Sequence, residues 1–308
     1  MPNWAEVQKE IEGVRYDNPL DSVRRKYLHI MNTYTGRNVI AYYSGFLQNR
    51  PNSGINDSDK NALMNAVHGL DKTKGLDLIL HTPGGELAAT ESIVHYLRSI
   101  FGKDIRAFVP QIAMSAGTMI ALSCKEIVMG KQSNLGPIDP QFGGLSCGGV
   151  IEEFNEALND IKDHPERIPI YQAMIAKYPP IFLGDCQKAI KWSESMAKDW
   201  LISNMLSDRD KPEKAADNIV SILGSHQKTY SHGKHLHIED CEKLGIKITR
   251  LEGLDDKAIE GCKDLQDCVL TIHHAYMHAF SSTDSNKIIE NHKGSAMISR
   301  VQVAPIIK

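Results

Sequence analysis

A serine among small residues and a glycine turn at the head of a helix are the features of this sequence best suited to covalent chemistry. In Met114-Ser115-Ala116-Gly117-Thr118 the serine falls between an extended segment and an apolar helix. A hydroxyl at such a turn is presented like that of a nucleophile elbow, without the GxSxG spelling. The N–H of Ala116 could face a developing oxyanion, and Gly117 permits close approach. The same position equally suits a helix N-cap, which asks only that the hydroxyl accept a hydrogen bond. Upstream, His81-Thr82-Pro83-Gly84-Gly85 closes one strand and opens the next helix. Gly84 and Gly85 allow a sharp turn and leave N–H groups unshielded by a Cβ, and a helix N-terminus adds free donors and partial positive charge. Alone, Pro-Gly-Gly is only a turn. Downstream, residues 134–141 (NLGPIDPQ) read as a structured loop with Asp139 lying 24 residues past Ser115. Such a loop can line a substrate groove or supply a further catalytic group.

These groups need a frame to hold them. Residues 38–44, 76–81, 105–110 and 126–129 are short apolar or β-branched runs and read as strands. Between them, a helix starting at Asp57 or Ser58 runs to Leu70. Residues 86–100 carry Leu87, Ile93, Val94, Leu97 and Ile100 as one stripe, and 116–123 form a short apolar helix. This alternation predicts an α/β layer structure with mainly parallel pairing. Residues 4–34 read as helical. Past Gln141 the character shifts: residues 142–150 hold four glycines and no charge, a mobile loop or turn-rich strand. Helices are expected at 151–162, 186–206, 214–224, 238–244 and 270–280, with a moderately basic segment at 287–300. There is no internal repeat and no clean linker, which favours one domain with helical additions at both ends.

Taken together, HTPGG, MSAGTMIAL and LGPIDPQ resemble the Clp/crotonase superfamily of serine peptidases. More closely, they resemble the signal peptide peptidase A family in its branch of serine dehydrogenase (or dehydratase) proteinases. The resemblance covers about residues 38–250. It implies a Clp/crotonase-like ββα superhelical peptidase domain at 37–250, a helical N-terminal extension at 1–36, and a C-terminal extension at 251–308 that is a candidate for oligomerisation. It implies Ser115 as nucleophile, with oxyanion donors expected from Gly84, Gly85 and Ala116 and substrate contacts at Gly117, Pro137 and Asp139; His81, beside the glycine turn, could touch substrate or be a strand-end histidine that is simply hydrogen-bonded.

In the Clp subunit a histidine follows the serine in the next loop. This sequence has Ile138-Asp139-Pro140 there, so that form of Ser-His-Asp is not available. The signal peptide peptidase family uses a lysine instead. Its pattern matches Ala176-Lys177-Tyr178-Pro179-Pro180 ahead of the helix from Cys186, with His232-Gly233-Lys234 and residues 239–245 as the later element. The match implies Lys177 as general base, with Lys162 as the alternative. A lysine base must be neutral, which takes its pKa from about 10.4 to about 7–8 by burial. Lys177 has apolar company, whereas Lys162 sits between Asp160 and Asp163. The activity implied is endopeptidase cleavage of a flexible protein or peptide substrate through an acyl-enzyme. Ring- or dome-like homo-oligomers are implied, and no cofactor.

Composition sets the outer limits. The 308 residues are 42% apolar and 24% charged with a formal net charge of −3, an ordinary globular balance without the basic excess of a nucleic-acid binder. The N-terminus does not read as a secretory signal, and no apolar run approaches the roughly 18 residues of a membrane span. The six cysteines form no CxxC pair and read as reduced thiols, with the cytoplasm as default location. His232, His235, His237 and Cys241 match no zinc spacing and read as a polar turn, so no metal is expected. His273, His274 and His278 read as packing residues. The alternative functions are a crotonase-type acyl-CoA enzyme and a non-catalytic oligomeric scaffold. The sequence names neither a physiological substrate nor an unfoldase or adaptor.

Overall fold

The computed structural model describes residues 4–15, 18–254, 259 and 261–301. Helices α1 (Trp4–Gly13) and α2 (Pro19–Thr35) come first. Then follow β1 (Asn38–Ser44), α3 (Ser58–Val67), β2 (Leu76–His81), α4 (Leu87–Phe101), β3 (Ile105–Val109), β4 (Ile112–Ala113), α5 (Ala116–Ser123), β5 (Glu126–Met129) and β6 (Asn134–Leu135). The hairpin β7 (Gln141–Phe142) and β8 (Leu145–Ser146) leads into α6 (Cys147–Asp163), α7 (Ile168–Ile175) and α8 (Phe182–Trp200). The chain closes with α9 (Pro212–Leu223), α10 (His226–Thr229), α11 (Ile238–Leu244), β9 (Ile248–Arg250), α12 (Leu265–Ser282), β10 (Ser285–Asn291) and β11 (Ala296–Arg300).

Seven strands form one sheet in the order β11-β10-β1-β2-β3-β5-β9. Five of them run parallel, and β10 and β11 add an antiparallel edge. Side chains alternate between the two faces with the period of two of a strand. From β1, Ile40 and Tyr42 enter one core while Val39, Ala41 and Tyr43 enter the other. From β2, Leu76, Leu78 and Leu80 join the first and Ile79 the second. Helices α3, α4, α5, α8 and α9 cover the first face through Leu63, Ile93, Ile120, Met196 and Ile219. Helices α2 and α12 cover the second through Leu28, Met31, Ile272 and Tyr276. Burial on both faces is why these strands read as continuous apolar runs. The fold is mixed α/β with a mostly parallel central sheet, as the sequence motifs imply.

Two stretches differ from expectation. The basic segment 287–300 is not a separate tail: it forms most of the β10–β11 hairpin, with Ile288 and Ile289 pointing into opposite cores. Two of its charges are paired inside, Lys287 with Asp59 at 2.6 Å and Glu290 with Arg24 at 2.7 Å, while Lys293 and Arg300 stay exposed. The glycine-rich stretch after Gln141 turns at Gly143 and Gly144, both at positive φ, and α6 begins earlier than its apolar stripe suggests. Ser146 caps it by accepting from Gly149 N–H. Residues 1–3, 16–17, 255–258, 260 and 302–308 of the two terminal segments lie outside the described residues.

Candidate active site

The strand-to-helix turn after β4 is sharp. Ser115 takes φ 52° and ψ −116°, a region that disfavours any Cβ. It stands at the N-cap of α5, yet its hydroxyl makes no capping bond. The capping alternative therefore does not account for it. The turn is held from both sides. Gly117 packs so closely on Thr82 that a Cβ there would lie 2.5 Å from Thr82 Cγ2, and the N–H of Met114 donates to Thr82 O at 3.0 Å. Gly84, at φ 99°, lies against Ser115 itself: a Cβ at Gly84 would meet Ser115 Cβ at 2.6 Å and Met114 O at 2.8 Å. The glycines of HTPGG are needed because two turns share this space. The N–H of Gly84 is engaged with Thr82 Oγ1 at 3.2 Å. Those of Gly85 and Ala116 have no acceptor among the described residues.

Ser115 opens onto a groove of about 1200 Å³. Its lining includes Gly54, Ile55, Gly85, Leu87, Ile138, Pro140, Ala189, Trp192 and His232. His232 reaches this groove from the loop after α10. Leu135 and Leu236 form an antiparallel bridge through both backbone hydrogen bonds, which brings the segments on either side of it together. Asp139 and His232 meet there: His232 Nδ1 is 2.8 Å from Asp139 Oδ1. Asp139 is wholly buried, and its other oxygen accepts from Ser146 Oγ at 3.1 Å. His226 Nδ1 lies 3.8 Å from the same oxygen. A buried carboxylate needs such partners, because desolvation without them costs several kcal/mol. That need is the one trace of the pair in the sequence, and it does not reach as far as His232. An aspartate between Ile138 and Pro140 calls for a partner, but nothing local says which of the 13 histidines supplies it. Read as part of the His232-Gly233-Lys234 element and of a polar turn, His232 is not singled out as that partner.

The other expected site residues lie apart from Ser115. His81 is on the face of β2 turned away from the groove, since it shares the parity of Ile79. It is packed between Tyr43, Phe46 and His273, with ring centroids 4.9–5.4 Å away. Burial pushes its pKa down to about 3. It cannot touch a substrate in the groove. Pro137 is buried and is not among the residues that line the groove, and Gly117 acts in packing. Lys177 is exposed and borders a separate depression of about 580 Å³ with Met174, Tyr178 and Phe182; only Phe142 is common to both hollows. Lys162 is exposed on α6 and donates to Asn159 Oδ1 at 3.0 Å. Neither lysine has the desolvation that a neutral base requires. A third lysine, Lys188, does line the groove, but its side chain is 82% exposed and faces Asp185 at 3.3 Å. Among the described residues no group of three or more His, Cys, Asp or Glu could hold a metal ion, and no helix is long and apolar enough to cross a membrane.

The chain is similar to two proteins of Methanocaldococcus jannaschii. One is uncharacterized protein MJ0137, 30% identical over 194 residues, which are 63% of this chain and 60% of that protein. The other is uncharacterized protein MJ1495, 27% identical over 194 residues, 63% of this chain and 59% of that protein. The chain thus spans about 60% of the length of these curated relatives. Among solved structures it is similar to a mutant of 1510-N, a membrane-bound stomatin-specific protease. The identity is 17% and the TM-score 0.38, covering 65% of this chain and 76% of that one. A family model described as ClpP-like SDH-type serine proteinase matches residues 52–251, the segment that contains the glycine turn, Ser115, Asp139 and His232. On that match, the chain belongs to the ClpP-like SDH-type serine proteinases.

Proposed function

We propose that the chain is a serine endopeptidase in which Ser115 is the nucleophile, His232 its general base and Asp139 the group that orients the histidine. The observation carrying this reading is that the strained Ser115 turn and His232, which is paired with the buried Asp139, line one groove. A carboxylate only accepts, so Nδ1 of His232 carries the proton toward Asp139 and Nε2 is left basic. His232 takes the Ser115 proton as Oγ attacks the peptide carbonyl. The oxyanion is received by the N–H groups of Gly85 and Ala116. Collapse expels the amine, which takes the proton from His232, and a water deprotonated by the same nitrogen then cleaves the acyl-enzyme. The order Ser115, Asp139, His232 along the chain differs from that of the Clp subunit. Such constellations are defined by geometry and role rather than by order. Leu87, Ile138, Ala189 and Trp192 suit an extended segment bearing apolar side chains.

The test is hydrolysis of casein and of fluorogenic peptides by variants. Ser115→Ala is expected to lose at least about 10⁴-fold in kcat and Asp139→Asn about 10³–10⁴-fold, with His232→Ala close to Ser115→Ala. Lys177→Ala and Lys162→Ala are expected to retain activity. Full activity in His232→Ala together with loss in Lys177→Ala would sink the histidine assignment and restore the lysine base. A wild type that cleaves nothing would sink the peptidase itself. We also propose that copies of the chain associate, a reading supported by the exposed apolar side chains of α7 and its surroundings.

A further inference from the structure

The turn that bears Gly84 and Gly85 is not held by the sheet alone. Its outer side rests on residues 54–56: Ile55 N–H donates to Gly84 O at 2.8 Å, and Glu86 N–H donates to Ile55 O at 2.9 Å. The fit leaves no slack, since a Cβ at Gly85 would lie 2.3 Å from both Ile55 N and Ile55 O. Residues 54–56 have no regular structure of their own, so what fixes them also fixes the turn.

What fixes them comes from the far end of the chain. Lys287 on β10 is 3% exposed, and its ammonium donates to Gly54 O at 3.0 Å and to Asp59 Oδ1 at 2.6 Å. The other oxygen of Asp59 accepts from Tyr42 OH at 2.8 Å and from Asn56 N–H at 3.0 Å. One buried ion pair thus grips residue 54 through its carbonyl and residue 56 through its amide, on either side of Ile55. Neighbouring groups hold the approach to this segment: Asn286 Nδ2 donates to Pro51 O at 3.0 Å, and Arg50 Nη2 donates to Phe280 O and Thr283 O. Phe280, Thr283, Asn286 and Lys287 all lie beyond the family match, which ends at residue 251.

We propose that Lys287 is a positioning residue for the reaction: paired with Asp59, it sets residues 54–56 against the Gly84–Gly85 turn and so sets the Gly85 oxyanion donor. This rests on the reading of Ser115 and Gly85 given above. An oxyanion donor works only within a few tenths of an ångström of its place, and a shift of about 1 Å can cost about 100-fold.

The experiment is peptide hydrolysis by the full chain, with active sites counted by a fluorophosphonate that labels Ser115, so that kcat is expressed per competent site. Lys287→Met is expected to lower that kcat by about 10- to 100-fold with KM within about twofold of wild type. Lys287→Arg, which keeps the charge and donors, is expected to recover most of the loss. A merely structural role would reduce the number of labelled sites and the melting temperature but leave kcat per site intact, and that result would overturn the proposal. If the unpaired Asp59 prevents Lys287→Met from folding, the neutral pair Lys287→Met with Asp59→Asn carries the same comparison. Wild-type enzyme that neither hydrolyses peptide nor labels at Ser115 would instead overturn the peptidase reading, and the positioning role with it.

Discussion

Ser115 is held in a backbone conformation worth about 1–3 kcal/mol of strain, and Gly84 is what fills the space beside it. Gly84→Ala would drive a Cβ into Ser115 and force an L-residue to φ 99°. It is expected to cut kcat by about 100-fold or more in a protein whose circular dichroism is unchanged; wild-type kcat would show that the turn tolerates displacement. His81 poses a different problem, because both ring nitrogens are buried without a partner. Burial lowers its pKa from 6.5 to about 3, and that of neighbouring His273 well below 6.5. The unfolded chain takes up these protons below about pH 6.5 while the folded one resists. Stability is therefore complete above that pH and falls as pH drops from about 6.5 toward 3, by up to about 1.4 kcal/mol per pH unit for each histidine. His81→Phe removes one such group and keeps the ring. Urea unfolding of wild type and His81→Phe at pH 7.5 and 5.0 should show the gap between the two pH values narrow in the variant. An unchanged gap would remove His81 as a source of acid sensitivity.

At the scale of elements, the β10–β11 hairpin does more than extend the sheet. It covers the open side of β1, and Ile288 and Ile289 reach the two cores from one strand. Ile289→Ala is expected to cost about 2–5 kcal/mol, read as a lower urea midpoint at unchanged slope; a cost under about 0.5 kcal/mol would mean the hairpin is peripheral. This element was illegible in the sequence because its apolar residues are few and its charges many. The information that Lys287 and Glu290 are paired inside resides in Asp59 and Arg24, more than 200 positions away. Four of the five parallel strands were legible, since burial on both faces favours largely apolar runs such as LDLILH, whereas the short, half-exposed edge strand β9 was not. The glycine turn and Ser115 were legible too, because both depend on local backbone geometry. His232 was not, because what singles it out is a partner 93 residues distant that only the Leu135–Leu236 bridge brings near.

Across the whole molecule, α6, α7 and the start of α8 stand apart from the two main cores, which α8 joins only further on, at Met196 and Ala197. A small separate cluster of Cys147, Cys186 and Ala189 ties them to the body through Leu87. Helix α7 (IPIYQAMI) is almost wholly apolar, yet none of its residues is buried. Ile170 is 61% exposed, and Ile181, just beyond it, is 69% exposed. Burying one such side chain is worth about 1.5–3 kcal/mol, so a cluster that stays wet forgoes more than most domains can spare. A second copy covering this surface would recover it. Wild type is therefore expected to run in light scattering at a multiple of the 34.3 kDa chain mass. Ile170→Asp combined with Ile181→Asp should shift it toward the single-chain mass with its circular dichroism intact, because both side chains already face solvent in one copy and the change costs that copy little. A wild type that runs as a single chain at tens of micromolar, or a double variant that keeps the larger mass, would show that this surface does not join copies of the chain.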